Sequence, residues 1–143
     1  MSLQVNFETF CEHAADGRLA DVQRMLESGE LLVDGNAHAV VQAAANGHVD
    51  VVGYLLRHAM FDRSADHDSA IRQAAYFGHV AVVERLLQDG RVDPSANDNC
   101  AIREAAENGH LAVVERLLLD ARVDPSAINN RAMAARRELS IQA

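Results

Sequence analysis

Residues 97–127 read NDNCAIREAAENGHLAVVERLLLDARVDPSA, and 21 of these 31 positions are identical in residues 66–96, DHDSAIRQAAYFGHVAVVERLLQDGRVDPSA. Residues 35–65 follow the same frame more loosely, and residues 5–34 more loosely still. Self-similarity at a fixed period of this length is typical of repeat architectures. We therefore divide one domain, residues 1–143, into repeats at about 5–34, 35–65, 66–96 and 97–127, followed by a C-terminal unit at 128–143.

Each repeat is predicted to form two short helices. In the fourth repeat the first helix spans residues 101–108, with Asn99 as its predicted N-cap and Gly109 in the C′ position, where a left-handed residue ends a helix. The second helix spans about residues 111–120, and Pro125 prevents it from continuing through the following turn.

A hairpin of two such short helices cannot bury a core by itself. The second helix of the fourth repeat has one apolar face, made of Val113, Val114, Leu117 and Leu118. Ala105 and Ala106 are small enough for another helix to pack against the first helix. The pattern predicts an all-α solenoid in which each repeat packs mainly on the next.

The two ends of the chain are predicted to cap this stack. The first helix has an inward stripe of Phe7, Phe10, Cys11 and Ala14. At the other end, Arg136 and Arg137 occupy the places of Ala105 and Ala106, and two arginines cannot pack against a following helix. We therefore expect four helical pairs and one C-terminal capping helix over residues 128–143.

The repeat resembles the ankyrin repeat over nearly the whole chain. The family signature T-P-L-H-x-A aligns with residues 38–43, 69–74 and 100–105, and the A-A-x-x-G-H segment and the V-V-x-x-L-L segment also match. The Thr-Pro pair and the His of the signature are missing, so the loop-to-helix hydrogen bonds they would make must be replaced or absent. At 31 residues the unit is shorter than the usual repeat of about 33, which predicts a shorter loop.

Seven histidines raise the question of metal binding. His48, His79 and His110 recur once per repeat, and neighbouring helices lie about 8–10 Å apart, too far for a shared zinc ion with bonds of about 2.0–2.1 Å. We interpret them as structural residues at the start of each second helix, as the resemblance also implies. No metal site is predicted.

The sequence offers no pattern of catalytic residues. It lacks a G-x-S-x-G elbow, an H-E-x-x-H pair and, because all thirteen basic residues are arginine, any lysine for a phosphate-binding loop or a Schiff base. We predict no enzyme activity, no catalytic residue and no cofactor.

Charge and composition restrict the class of partner. The net charge of −8 disfavours binding to nucleic acid, and no apolar run approaches the 18 residues of a membrane span. Cys11 and Cys100 are far apart in sequence, and the N-terminal residues do not form a secretion signal, so we expect an intracellular protein, cytoplasmic or nuclear, with reduced thiols.

The resemblance implies that a partner protein binds the concave surface, made by the first helices and the loops before them. Positions that vary between repeats within the constant frame are the candidates for specificity. At the end of the first helix these are Tyr76 and Phe77, which correspond to Ala45 and Asn46 and to Glu107 and Asn108. In the loops they are His67, Asp68, Asp98 and Asn99, which would form a polar and partly acidic rim.

The sequence therefore predicts a protein-interaction module with Tyr76 and Phe77 as anchors, because aromatic residues are enriched at binding hot spots. The acidic charge favours a partner with a basic patch. We expect a monomer. The first alternative is a homo-oligomeric structural protein in which the same aromatic patch closes a homodimer, and the second is a host-directed effector or viral adaptor.

Overall fold

A computed structural model describes residues 3–27, 36–57, 64–90 and 92–128, with side chains from residue 8 in the first segment, 38 in the second and 68 in the third. These residues form eight α-helices and no strand. The helices are α1 (Leu3–Ala15), α2 (Leu19–Glu27), α3 (Asn36–Ala45), α4 (Val49–Leu56), α5 (Ser64–Phe77), α6 (Val80–Leu87), α7 (Ala96–Glu107) and α8 (Leu111–Leu118). A short 3-10 turn, Pro125–Ala127, follows α8.

The helices form four antiparallel pairs, and the pairs stack side by side. The first helices α1, α3, α5 and α7 make one row, and the second helices α2, α4, α6 and α8 make the other. The first row is packed more closely, because each of its interior faces carries paired alanines that are almost fully buried, such as Ala74 and Ala75. The predicted all-α solenoid is confirmed. The predicted capping helix lies outside the described residues, apart from Ile128.

The core is one continuous apolar layer between the two rows. Its larger members that are less than 2% exposed include Phe10, Val22, Val40, Val51, Val52, Leu55, Ile71, Leu86, Ile102 and Leu117. In the predicted N-terminal stripe Phe10 and Ala14 are fully buried and Cys11 is partly buried, whereas the side chain of Phe7 lies outside the described part. Each helix therefore contributes one apolar face to a layer shared with its neighbours.

A glycine with positive φ ends the first helix of every pair, as predicted for Gly109. The φ angles of Gly17, Gly47, Gly78 and Gly109 lie between 74° and 80°. The amide of Gly47 donates to the carbonyl of Ala44, and the next amide donates to Ala43, which is the paired bonding of a Schellman motif. Only glycine adopts this conformation without strain, so the chain turns from the first helix into the second within three residues.

The repeating histidines are structural, as predicted. The Nε2 atom of His79 lies 2.9 Å from the carbonyl oxygen of Ala45, in the preceding repeat. The same ring covers Gly47 so closely that a Cβ added there would lie 2.7 Å from Nδ1. His48 and His110 cover Gly17 and Gly78 in the same way. Each histidine ring thus packs on the glycine that ends the preceding first helix, which accounts for its recurrence at the repeat period.

The start of α7 departs from the prediction. Asn97, Asp98 and Asn99 have φ angles of 57–60° and ψ angles of 39–50°, so a left-handed turn precedes the regular helix. The prediction that Asn99 caps its own helix is wrong, because its Oδ1 accepts a hydrogen bond from the amide of Asp124, 3.0 Å away. Asn and Asp tolerate this backbone region better than other residues, which suits the Asn-Asp-Asn sequence.

Side chains near the start of α5 and α7 hold the loop that follows the second helix of the same repeat. The Oδ1 atom of Asp68 accepts from the amide of Asp93 at 3.0 Å, one repeat before the matching bond from Asp124 to Asn99. In the loop, the Oδ1 atom of Asp93 accepts from the amide of Ser95 at 2.9 Å. These bonds tie each of the two loops to the first helix of its own repeat.

A second brace joins the last two described loops. The Nε and Nη2 atoms of Arg122 donate to the two carboxylate oxygens of Asp120, at 3.0 and 2.9 Å, and Nη1 donates to the carbonyl oxygen of Val92 at 2.8 Å. The hydrogen bonds from Arg122 hold the pKa of Asp120 below its usual range. The guanidinium thus links the loops of successive repeats through its planar fork of donors.

Candidate partner-binding groove

A groove of about 670 Å³ lies on the first-helix face, between α3 and α5. Its lining combines apolar carbon with amide and imidazole groups, from His38, Val41, Gln42, Ala45, Asn46, Gln73, Phe77 and His79. On the side away from the core, the first helices expose side chains at every third or fourth position, and side chains of α3 and α5 on that side line the groove. Such a mixed surface offers apolar contact and a few hydrogen bonds that can orient a ligand.

Two aromatic rings stand at the end of α5 beside this groove. Tyr76 is 43% exposed and Phe77 is 49% exposed. Their ring centroids are 4.9 Å apart with the planes at 78°, an edge-to-face pair. The Phe77 ring also lies nearly parallel to the imidazole of His79, with centroids 6.4 Å apart. Phe77 therefore lines the groove, and Tyr76 supports it from the neighbouring position.

The neighbouring repeats show why the side chain of Phe77 is exposed. Asn46 and Asn108 occupy the matching position at the end of α3 and α7, and each turns its amide back onto its own helix. Their Nδ2 atoms donate to the carbonyl oxygens of Gln42 at 2.8 Å and Glu104 at 2.7 Å. Phenylalanine has no donor for this bond, so in the third repeat the side chain projects from the helix end.

The structure brings part of the predicted site together. Phe77, Ala45 and Asn46 line the same groove, and Tyr76 contacts Phe77. Glu107, at the equivalent position one repeat further along, is exposed, and Asn108 is exposed beside it.

The predicted loop residues lie at the other end of the first helices. Asp68 and Asn99 accept the loop hydrogen bonds described above, so they brace the fold whether or not they touch a partner. Asp98 is exposed, and its carbonyl oxygen accepts from Arg103 at 3.0 Å. The side chain of His67 lies outside the described residues.

Sequence comparison missed several groove residues. Gln42 and Gln73 precede the variable helix ends by four residues, which places them on the same face one turn earlier. His38 lies a further turn back, and its Nε2 atom is 3.2 Å from Nε2 of Gln42. The signal that could have found them was this helical spacing from Asn46 and Phe77. Gln42 and Gln73 correspond to each other in repeats two and three and are identical, so a comparison of repeats does not single them out.

Neither described thiol is activated towards ionisation. Both cysteines are free, and burial raises the pKa of Cys11 to about 11, so this thiol stays protonated at neutral pH. Burial and the neighbouring Glu104 also raise the pKa of Cys100. Within the described ranges no three His, Cys, Asp or Glu side chains are grouped closely enough to hold a metal ion, and no helix there is long and apolar enough to cross a membrane.

Comparison with known families agrees with this architecture. A search of curated proteins found no match for the chain. The family model described as ankyrin repeats matches in three copies, over ranges that include residues 10–98 and 40–129. These two ranges together extend over 120 of the 143 residues. The chain therefore belongs to the ankyrin-repeat family.

Proposed function

We propose that this protein docks a partner protein in the groove of the first-helix face, with Tyr76 and Phe77 as the anchors. The ankyrin-repeat family is a non-catalytic binding scaffold whose members generally bind other proteins. The observation that carries the proposal is the exposed edge-to-face ring pair, which stands at the variable end of α5 and leads into the groove. Large rings that are exposed beside a groove can bury much apolar area on binding.

The remaining contact surface would come from the neighbouring first helices. Ala45 and Asn46 form the opposite wall of the groove, and Glu107 and Asn108 continue the surface into the fourth repeat. Asp68, Asp98, Asn99 and His67 would form the rim at the loop end of the helices. The function is passive docking, with no bond made or broken. The two free thiols fit a reducing, intracellular setting.

Affinity capture from a lysate of the source cells tests the proposal. The bait is the wild-type chain, the variant Tyr76→Ala/Phe77→Ala, and the control Val49→Ala/Leu119→Ala. The control truncates two exposed apolar side chains outside the groove, at 38% and 79% exposure. We expect a partner that wild type and control retain and that the aromatic variant loses, with affinity reduced by about 30-fold or more. Circular dichroism should show equal helicity for all three chains.

Two results would contradict the proposal. A partner retained equally by the aromatic variant would place the binding site elsewhere. If light scattering showed a wild-type dimer and a monomeric aromatic variant, the same patch would be a self-association surface instead.

A further inference from the structure

Acidic side chains lie on both sides of the groove along the row of first helices. α3, at its centre, contains no Asp, Glu, Arg or Lys. On one side, α1 and the residue after it expose Glu12 and Asp16, and on the other side α7 carries the exposed Glu107 and the partly buried Glu104. Along the last turns of this row, charge therefore changes from acidic on α1 to none on α3 and α5 and back to acidic on α7.

Two arginines, Arg72 and Arg103, precede the last turn of α5 and α7. Arg103 donates through Nε to the carbonyl of Asp98 at 3.0 Å and through Nη2 to the carbonyl of Asn97 at 3.2 Å, so its charge is held at the loop end of α7. Arg72 is the matching residue of α5, and it is not part of the groove lining. In the last turn of the four first helices the acidic side chains are Glu12, Glu104 and Glu107, and the one basic group is His13. The partial negative charge of each helix C-terminus adds to the acidic side chains.

We propose that the groove takes an extended peptide segment with one apolar side chain flanked on both sides by arginine or lysine. This inference rests on the proposed function and names the partner's chemistry. The apolar side chain would contact Phe77, Val41 and Ala45, and the two basic side chains would reach the acidic groups of α1 and α7. Gln42 and Gln73 line the groove and supply amide donors and acceptors for the peptide backbone.

The spacing of the helices sets the length of this segment. Packed helices lie about 8–10 Å apart, so α1 and α7 are separated by about 24–30 Å. An extended chain advances about 3.3 Å per residue, and the groove lies midway between these two helices. The basic residues should therefore lie about four positions to either side of the apolar residue.

Charge also favours a basic peptide over a nucleic acid or a second copy of this chain as the occupant of the groove. A chain of net charge −8 repels a nucleic-acid backbone, and a second copy of the chain brings the same net negative charge to the groove. A basic peptide is attracted to both ends of the groove, and this attraction weakens as salt screens it.

The test uses three labelled nine-residue peptides and fluorescence anisotropy. The first has arginine at both ends and leucine at the centre, the second has serine in place of the leucine, and the third has glutamate in place of the arginines. We expect wild type to bind the first peptide most tightly, the second at least about fivefold more weakly, and the third without detectable affinity. Binding of the first should weaken several-fold between about 50 and 200 mM salt.

Matched variants locate the binding site. Glu104→Gln/Glu107→Gln removes two negative charges from α7, and Glu84→Gln/Glu115→Gln removes two from α6 and α8, with the same change in net charge. The first pair should weaken binding of the arginine peptide by about three- to tenfold, because each exposed ion pair contributes modestly. The second pair should leave binding within about twofold. Phe77→Ala should abolish the preference for leucine over serine.

Equal binding of the arginine and glutamate peptides would overturn the inference, and so would equal losses in the two glutamine pairs. Absence of binding to all three peptides would also overturn it. The proposed function is judged separately: if captured partner binding still depends on Tyr76 and Phe77, docking in the groove stands and only the chemistry of the occupant is wrong.

Discussion

Repeats three and four share most of their residues, and they differ where their side chains face solvent. The second helices α6 and α8 differ at one position in eight, and they bury the same three residues, such as Leu86 in α6 and Leu117 in α8. The first helices share the buried alanines but end differently, in Tyr76 and Phe77 or in Glu107 and Asn108. The buried positions of the two repeats are thus nearly the same, and the exposed ends of the first helices differ.

The largest expected effect is on the free energy of unfolding, and it distinguishes the buried core from the groove. Leu86→Ala empties a fully buried site and should lower the free energy of unfolding by about 2–5 kcal/mol. Phe77→Ala, at a half-exposed site, should cost less than about 1 kcal/mol. Urea unfolding monitored by circular dichroism measures both. A loss for Phe77→Ala as large as that for Leu86→Ala would show that this ring belongs to the core.

The next comparison is between two glycines of the same conformation. Gly109→Ala should cost about 1–2 kcal/mol, because an alanine must adopt positive φ and its Cβ would meet no described neighbour within 4 Å. Gly47→Ala should cost about 1–3 kcal/mol more, because its Cβ would lie 2.7 Å from Nδ1 of His79.

A double-mutant cycle checks the cause of this difference. In the background His79→Ala, the cost of Gly47→Ala should fall towards that of Gly109→Ala. An unchanged cost would mean that the histidine ring is not the obstacle.

The loop hydrogen bonds accepted by Asp68 and Asn99 allow a third comparison, with a smaller expected effect on stability. Asp68 and Asn99 make the same bond in successive repeats with a charged and a neutral side chain. Asp68→Ala and Asn99→Ala should each cost about 1 kcal/mol, because each loses one acceptor for a loop amide. Asp68→Asn keeps the acceptor and should cost less than about 0.5 kcal/mol. If Asp68→Asn cost as much as Asp68→Ala, charge rather than the hydrogen bond would hold the loop.

The smallest expected effect is a dependence on pH. Hydrogen bonds from the side chain and backbone of Ser95 hold the pKa of Asp93 below its usual range. Because the folded-state pKa is the lower one, this stabilisation is present above the unfolded pKa of about 4 and is lost as the pH falls through the folded value. Ser95→Ala should therefore reduce stability at pH 6 by at most about 1 kcal/mol and by less at pH 3. Urea midpoints at the two pH values measure this difference, and an equal loss at both would contradict it.

The repeat pattern predicted the fold well because it depends on residues that are close together in the sequence. Periodic glycines, apolar faces and helix-breaking turns each act within a few residues, so the helical pairs and the glycine ends could be derived from spacing. The role of Asn99 could not, since its partner is the amide of Asp124 in the next loop. The groove was predicted only in part, because internal comparison singles out residues that vary and overlooks residues such as Gln42 and Gln73 that share a face without differing.

The amino-acid sequence by itself determined the helical pairs, the glycine that ends each first helix and the stacking of one repeat on the next, because these follow from apolar periodicity and from the conformational freedom of glycine. Only the tertiary structure decided which exposed side chains meet. The Phe77 ring forms a groove with Ala45 and Asn46 because α3 and α5 pack side by side, although more than thirty residues separate these positions in the chain. Contacts of that kind depend on helix packing and on side-chain direction, which the spacing of residues along one helix does not contain.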